Sequence, residues 1–230
     1  MGEKFNEVVD SLKAYVDGEK LSGEQEICFS PEKEKRTPST EEGLAPLRGK
    51  VSACEKCSLA GTRTNVVFGE GNPNAELMFV GEAPGADEDK QGKPFVGRAG
   101  KLLTKIIESI GLTREDVYIA NILKCRPPGN RNPLPDEITA CSPYLVKQIE
   151  EIKPRVICAL GRCAAQRLLA SEVTIGNLRG KFHDYLGVKL MPTYHPAYLL
   201  RNSSGKKDVW DDMKTIAKEL GLKISRKGMG

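Results

Sequence analysis

Apolar positions in this chain alternate between short continuous runs and stripes at helical spacing, and that alternation sets the expected architecture. Phe5, Val8, Val9, Leu12 and Val16 recur at roughly helical intervals, predicting a short amphipathic helix over 4–16. Residues 17–43 are rich in Glu, Lys, Ser, Pro and Gly with few apolar positions, the composition of a flexible connector. Beyond Leu47 the run at 75–80 (Ala-Glu-Leu-Met-Phe-Val) predicts a buried strand. Leu102, Leu103, Ile106, Ile107 and Ile110 form a helical stripe that Gly111 stops. Further strands are expected over 117–123, 156–160 and 189–193. Helices are expected over 136–152, 161–170 and 209–220, the last using Val209, Trp210, Met213, Ile216 and Leu220.

Strands that alternate with helices predict an α/β fold: three layers, α/β/α, around a central, mainly parallel four-stranded sheet. The expected division is an N-terminal helix and linker over 1–46, a compact domain over 47–222, and a basic tail over 223–230. In such sheets ligands bind beyond the carboxyl ends of the strands. Here those ends carry Gly81–Gly85, Asn121, 161–163 and 194–201, and the last segment holds His195, one of only two histidines.

Composition narrows the picture modestly. Lys+Arg 35 against Asp+Glu 31 gives a net charge of +4, which permits a polyanionic partner without demanding one. No apolar run behaves as a signal peptide or membrane span. Seven cysteines, an odd number, fit a reducing compartment better than a disulfide scaffold, so the expectation is a cytoplasmic protein.

Four of those cysteines are candidate metal ligands. Cys54 and Cys57, spaced Cys-x2-Cys, present two sulfurs to one centre, and Cys125 and Cys141 would complete a four-sulfur site. Spacing alone leaves zinc and an iron–sulfur cluster both open. Cys28, Cys158 and Cys163 have no comparable spacing.

Four stretches are more specific. They are Gly-Glu-Ala-Pro-Gly-Ala-Asp-Glu-Asp at 81–89, Gly-Lys-Pro-Phe-Val-Gly-Arg-Ala-Gly at 92–100, Asn-Ile-Leu-Lys-Cys-Arg-Pro-Pro at 121–128 and His-Pro-Ala-Tyr-Leu-Leu-Arg at 195–201. In this order, with the cysteines between them, they resemble the family 4 uracil-DNA glycosylases, over about residues 47–222. The resemblance implies a monofunctional, monomeric hydrolase that releases uracil from single- or double-stranded DNA and leaves an abasic site. It also implies that Cys54, Cys57, Cys125 and Cys141 hold a [4Fe–4S] cluster, with zinc as the alternative. The cluster is expected to order the loop carrying 124–131 against DNA.

The resemblance gives each motif residue a role. His195 donates a hydrogen bond to the charge developing at uracil O2, and Glu82 orients water or stabilises the cationic sugar. Asn121 reads the N3–H and O4 edge of the base, and Phe95 stacks on it. Gly81, Ala83 and Gly85 line the pocket. Family 1 enzymes carry an aspartate where this chain has Ala83, and a methyl-blocking tyrosine where it has Gly85. The Glu88 side chain is the candidate to fill the space at Gly85. Leu199 is expected to wedge into the duplex, and Arg201, with Arg98, Arg126 and Arg162, to meet phosphates. The competing reading is a non-catalytic DNA-binding module that uses its metal only to fold. A carboxylate–histidine pair at the pocket argues against it.

Overall fold

The structure, a computed structural model, describes residues 40–224. The helix expected over 4–16 lies outside them, as do most of the connector and of the tail. The helices are α1 (Thr40–Ser52), α2 (Ala86–Gln91), α3 (Arg98–Ser109), α4 (Pro135–Ile152), α5 (Arg162–Leu168), α6 (Ile175–Leu178), α7 (Pro196–Leu199) and α8 (Gly205–Leu220). The strands are β1 (Glu70–Gly71), β2 (Leu77–Gly81), β3 (Tyr118–Asn121), β4 (Val156–Leu160), β5 (His183–Tyr185) and β6 (Val188–Thr193).

They form one sheet in the order β1-β3-β2-β4-β6-β5. The four inner strands are parallel, and β1 and β5 pair antiparallel at the two edges. The sheet therefore has six strands where four were expected. Two- and three-residue edge strands are too short to leave a periodic signature, and such brevity is one way an edge resists pairing with another chain.

Every residue of β2, β3 and β4 is buried, as expected for parallel strands covered on both faces. Successive side chains alternate between two cores. Met78, Val80, Tyr118, Ala120, Ile157 and Ala159 pack with residues of α1, α4 and α5 on one face. Leu77, Phe79, Ile119, Val156, Cys158 and Leu160 pack with residues of α3 and α8 on the other. The three-layer expectation holds. Residues before 47 take part in the packed fold: α1 spans Thr40–Ser52, and its Leu44 and Leu47 are both buried.

Local chemistry ends the helices where the pattern indicates. Gly111 (φ 81°) follows the last apolar residue after α3, and Gly221 (φ 70°) caps α8 with its N–H on the carbonyls of Ala217 and Lys218. At the start of α4 the buried Glu137 carboxylate accepts the Leu134 N–H at 2.8 Å and pairs with Arg131 at 2.6 Å. No helix among the described residues is long and apolar enough to cross a membrane.

Candidate active site

The carboxyl ends of the inner strands converge on one region. Gly81 ends β2 in register with Asn121, the end of β3, and the pairing continues through Ile122 N–H to Gly81 O at 3.0 Å. A Cβ on Gly81 would fall 2.4 Å from Asn121 Oδ1 and 2.6 Å from Phe95 Cζ. The carboxamide and the phenyl ring therefore lie directly over this residue, and only glycine leaves them room. Phe95 is buried, adopts a left-handed backbone (φ 53°), and sets its ring 5.7 Å from the His195 imidazole.

Asn121 is 1% exposed, and its Oδ1 is a buried acceptor without a hydrogen-bond partner among the described residues. Burying an unpaired polar atom costs about 1–3 kcal/mol, so native structures rarely leave one without a reason such as a ligand. Its backbone carbonyl, by contrast, accepts from Lys124 Nζ at 2.7 Å.

His195 caps α7: Nδ1 accepts the Ala197 N–H at 3.1 Å. In the neutral ring that bond puts the proton on Nε2. Burial, aided by the Arg201 charge and opposed by Glu88, lowers the imidazole pKa to about 4, so the ring is neutral at physiological pH. Gly161, at φ 89°, allows the close approach, since a Cβ there would lie 2.8 Å from the His195 Cβ. Just upstream Thr193 Oγ1 donates to the buried Asp212 at 2.6 Å, and Arg179 pairs with that carboxylate at 2.8 Å, tying the end of β6 to α8. Nothing in the linear sequence marks that network.

Glu88 braces the pocket loops. Its Oε1 accepts from Val96 N at 2.9 Å and Gly97 N at 3.1 Å, and its Oε2 accepts from Gly85 N at 3.1 Å. The carboxylate sits 2.7 Å from where a Gly85 Cβ would be, so it fills that space. The buried Asp89 bonds Thr64 N and Asn65 N and is a loop anchor. Ala83 packs against the α4 side of the core.

Glu82 faces α5. It lines a cavity of about 160 Å³ with Arg162, Cys163, Gln166 and Arg167. Burial and then a hydrogen bond to the Glu82 carboxylate push the Cys163 thiol above its usual range. Arg98, Arg162 and Arg201 are exposed, whereas Arg126 Nε is bonded to Asn130 Oδ1 at 2.7 Å.

One expectation needs correction. Leu199 is 3% exposed and packs in the core beside α8, so it is not presented to a duplex; its neighbour Leu200 is 50% exposed. The turn of α7 decides which leucine faces in. Lys124, in the loop expected to be ordered against DNA, turns its own side chain inward. It is fully buried, with Nζ on Asn121 O and on Gln148 Oε1 at 2.6 Å, and burial lowers its pKa to about 7. Arg131 is held by Glu137.

Cys54, Cys57, Cys125 and Cys141 line one cavity with Leu59, Arg63 and Tyr144. Two of the sulfurs accept hydrogen bonds: Cys141 Sγ from Lys124 N at 3.3 Å, and Cys125 Sγ from Arg63 Nη1 at 3.5 Å. Burial, reinforced by the neighbouring sulfurs, raises the Cys141 thiol to about 11. Two buried thiols, Cys125 and Cys141, and two half-buried ones, Cys54 and Cys57, converge on this cavity, a donor set suited to a cationic centre. Among the described residues no three His, Cys, Asp or Glu side chains are arranged to hold a single ion.

Comparison with known proteins gives the same direction. Residues 68–214 match the uracil DNA glycosylase superfamily. A type-4 uracil-DNA glycosylase of Saccharolobus solfataricus is 49% identical over 191 residues, covering 79% of this chain and 88% of that protein. One from Archaeoglobus fulgidus is 47% identical, covering 79% and 96%. One from Thermotoga maritima is 51% identical, covering 72% and 88%.

Proposed function

The chain belongs to the uracil DNA glycosylase superfamily and, within it, to the type-4 uracil-DNA glycosylases, and from that premise we propose how its pocket works. The protein is a DNA glycosylase that hydrolyses the N-glycosidic bond of deoxyuridine, releasing uracil and leaving an abasic site for repair. The observation that carries the assignment of the pocket is the orphaned Asn121 Oδ1. It shares the space over Gly81 with the Phe95 ring, and a flipped uracil stacked on that ring offers N3–H to the oxygen while O4 accepts from Nδ2.

Bond cleavage builds negative charge on uracil and positive charge on the sugar. His195, neutral with its proton on Nε2, supplies a donor already aimed at the developing O2 oxyanion, and needs no proton transfer to do so. Glu82 is the carboxylate that follows Gly81, and it stabilises the sugar cation or orients the attacking water from its cavity beside Arg162. Glu88 occupies the space over Gly85, where the 5-methyl group of thymine would otherwise fit, and so excludes that base. Leu200, exposed on the loop after His195, takes the wedge role in place of Leu199. Arg98, Arg162 and Arg201 meet phosphates of single- or double-stranded DNA, and the enzyme acts as a cytoplasmic monomer.

Cys54, Cys57, Cys125 and Cys141 hold a [4Fe–4S] cluster, whose place is structural because hydrolysis transfers no electrons. Four sulfurs line one cavity, and they come as one Cys-x2-Cys pair with two isolated cysteines where a zinc ribbon usually has two such pairs, which supports an iron–sulfur cluster over zinc. What the chain supplies is a tie between the first loop, β3 and α4. Lys124 continues that tie to the base reader: its N–H bonds Cys141 Sγ and its Nζ bonds Asn121 O. Incubation with DNA carrying one uracil, followed by alkaline cleavage, tests the reading; strand breaks at the uracil position are expected, and intact strands would overturn it.

A further inference from the structure

Phe95 holds its ring in the pocket only through a backbone conformation that a bulky side chain avoids. At φ 53° a non-glycine residue is destabilised by roughly 1–2 kcal/mol, and the surrounding structure must impose it. The imposing groups are visible on both sides of one peptide plane. Downstream, Glu88 accepts the N–H groups of Val96 and Gly97. Upstream, Arg114, in the segment between α3 and β3, donates from Nη2 to Pro94 O at 2.9 Å and from Nη1 to Phe95 O at 3.2 Å.

Other residues fix the guanidinium in turn. Arg114 Nη1 also reaches Thr104 Oγ1 at 3.5 Å, and Glu70 Oε2 of the edge strand β1 lies 3.9 Å from Nη2. The first turn of α3 presses on the same carbonyl, since a Cβ on Gly100 would sit 1.9 Å from Phe95 O. Behind this loop lies an open cleft of about 800 Å³, lined by Glu70, Lys93, Phe95, Gly100, Thr104 and Arg114. The cleft opens this side of the loop to solvent, so there the hydrogen bonds from Arg114, with the close approach of α3, hold the carbonyls in place.

We propose that Arg114 is a positioning residue for uracil release: by gripping the carbonyls of Pro94 and Phe95 it keeps the Phe95 ring in the plane that stacks the flipped base. The proposal rests on the uracil pocket described above. Without the clamp the peptide relaxes toward negative φ, and the ring leaves its place over Gly81 and beside His195. Lysine in place of arginine keeps the charge near Glu70 but lacks the planar fork that spans two carbonyls.

The test is a double-mutant cycle on the full-length protein, read as single-turnover uracil release from single-stranded DNA with melting temperatures alongside. Arg114→Met should slow release roughly tenfold to a hundredfold, the scale of a displacement of about an ångström in a reacting geometry, and Arg114→Lys should fall between it and wild type. In a Phe95→Ala background, where no ring remains to be placed, Arg114→Met should change the rate by less than about twofold. Equal loss in both backgrounds would show a general structural role and overturn the proposal, as would an unchanged rate with Phe95 present. If Arg114→Met does not fold, the same cycle with Arg114→Lys decides by the same criterion. Absence of uracil release by the wild type would instead refute the pocket assignment itself.

Discussion

Gly81→Ala tests the pocket with a single methyl group. The added Cβ would lie 2.4 Å from Asn121 Oδ1 and 2.6 Å from Phe95 Cζ, against a comfortable carbon separation of roughly 3.5–4.0 Å. About an ångström of relief is needed. The strand cannot readily supply it, because Gly81 is registered against Asn121 and its carbonyl bonds Ile122. The carboxamide and the ring must therefore move, and those are the groups assigned to the base. Overpacking of this kind costs about 1–3 kcal/mol of stability. For a chain of this size each kcal/mol lowers the melting temperature by roughly 2–4 °C. The loss in rate should be larger in proportion, on the order of a hundredfold in single-turnover uracil release. Gly49→Ala is the control: its Cβ meets nothing within 4 Å, and it should leave the rate unchanged. A Gly81→Ala protein that melts as expected but cleaves at the wild-type rate would show that neither Asn121 nor Phe95 touches uracil.

Other residues give independent checks. Because the folded His195 pKa (about 4) lies below the unfolded value (about 6.5), its contribution to stability is full above pH 6.5 and is lost as pH falls toward 4, on the order of 3 kcal/mol in all. Across that window wild type should lose stability relative to His195→Asn as pH falls, and parallel denaturation profiles would contradict the assignment. Leu200→Ala should slow cleavage of uracil opposite adenine more than opposite guanine, sparing single strands and melting temperature; Leu199→Ala should cost about 2–5 kcal/mol of stability and slow all substrates alike. The reverse pattern would restore Leu199 as the wedge. Anaerobically purified protein should carry about four irons per chain, and Cys141→Ser should lose iron, visible absorbance and thermal stability together. A colourless, active preparation with stoichiometric zinc would rule the cluster out.

The parallel core was legible because its strands are mostly apolar runs of four to six residues set between helical stripes. The edge strands were not, since Glu70–Gly71 and His183–Tyr185 are too short to show a period. Motif residues were found as a set because several flank strand ends in a parallel sheet. Orientation was beyond reach. A lysine two residues before Arg126 gives no sign in the sequence that it is buried; the Asn121 carbonyl and Gln148, 24 residues on, turn it inward. Leu199 and Leu200 are chemically equivalent in the sequence, and one short helical turn separates core from surface. Arg114 carries no motif signal at all, because what it grips is a backbone conformation that appears only once Phe95 is placed.

Single-turnover release of free base from one uracil-containing strand, by wild type and by Asn121→Ala, tests the central claim most directly. Wild type should yield free uracil, identified by its mass, mole for mole with abasic sites. Asn121→Ala, which removes the orphaned acceptor, should slow that release roughly a hundredfold or more with DNA affinity nearly unchanged. Equal rates for the two proteins, or abasic sites formed without free uracil, would contradict the account.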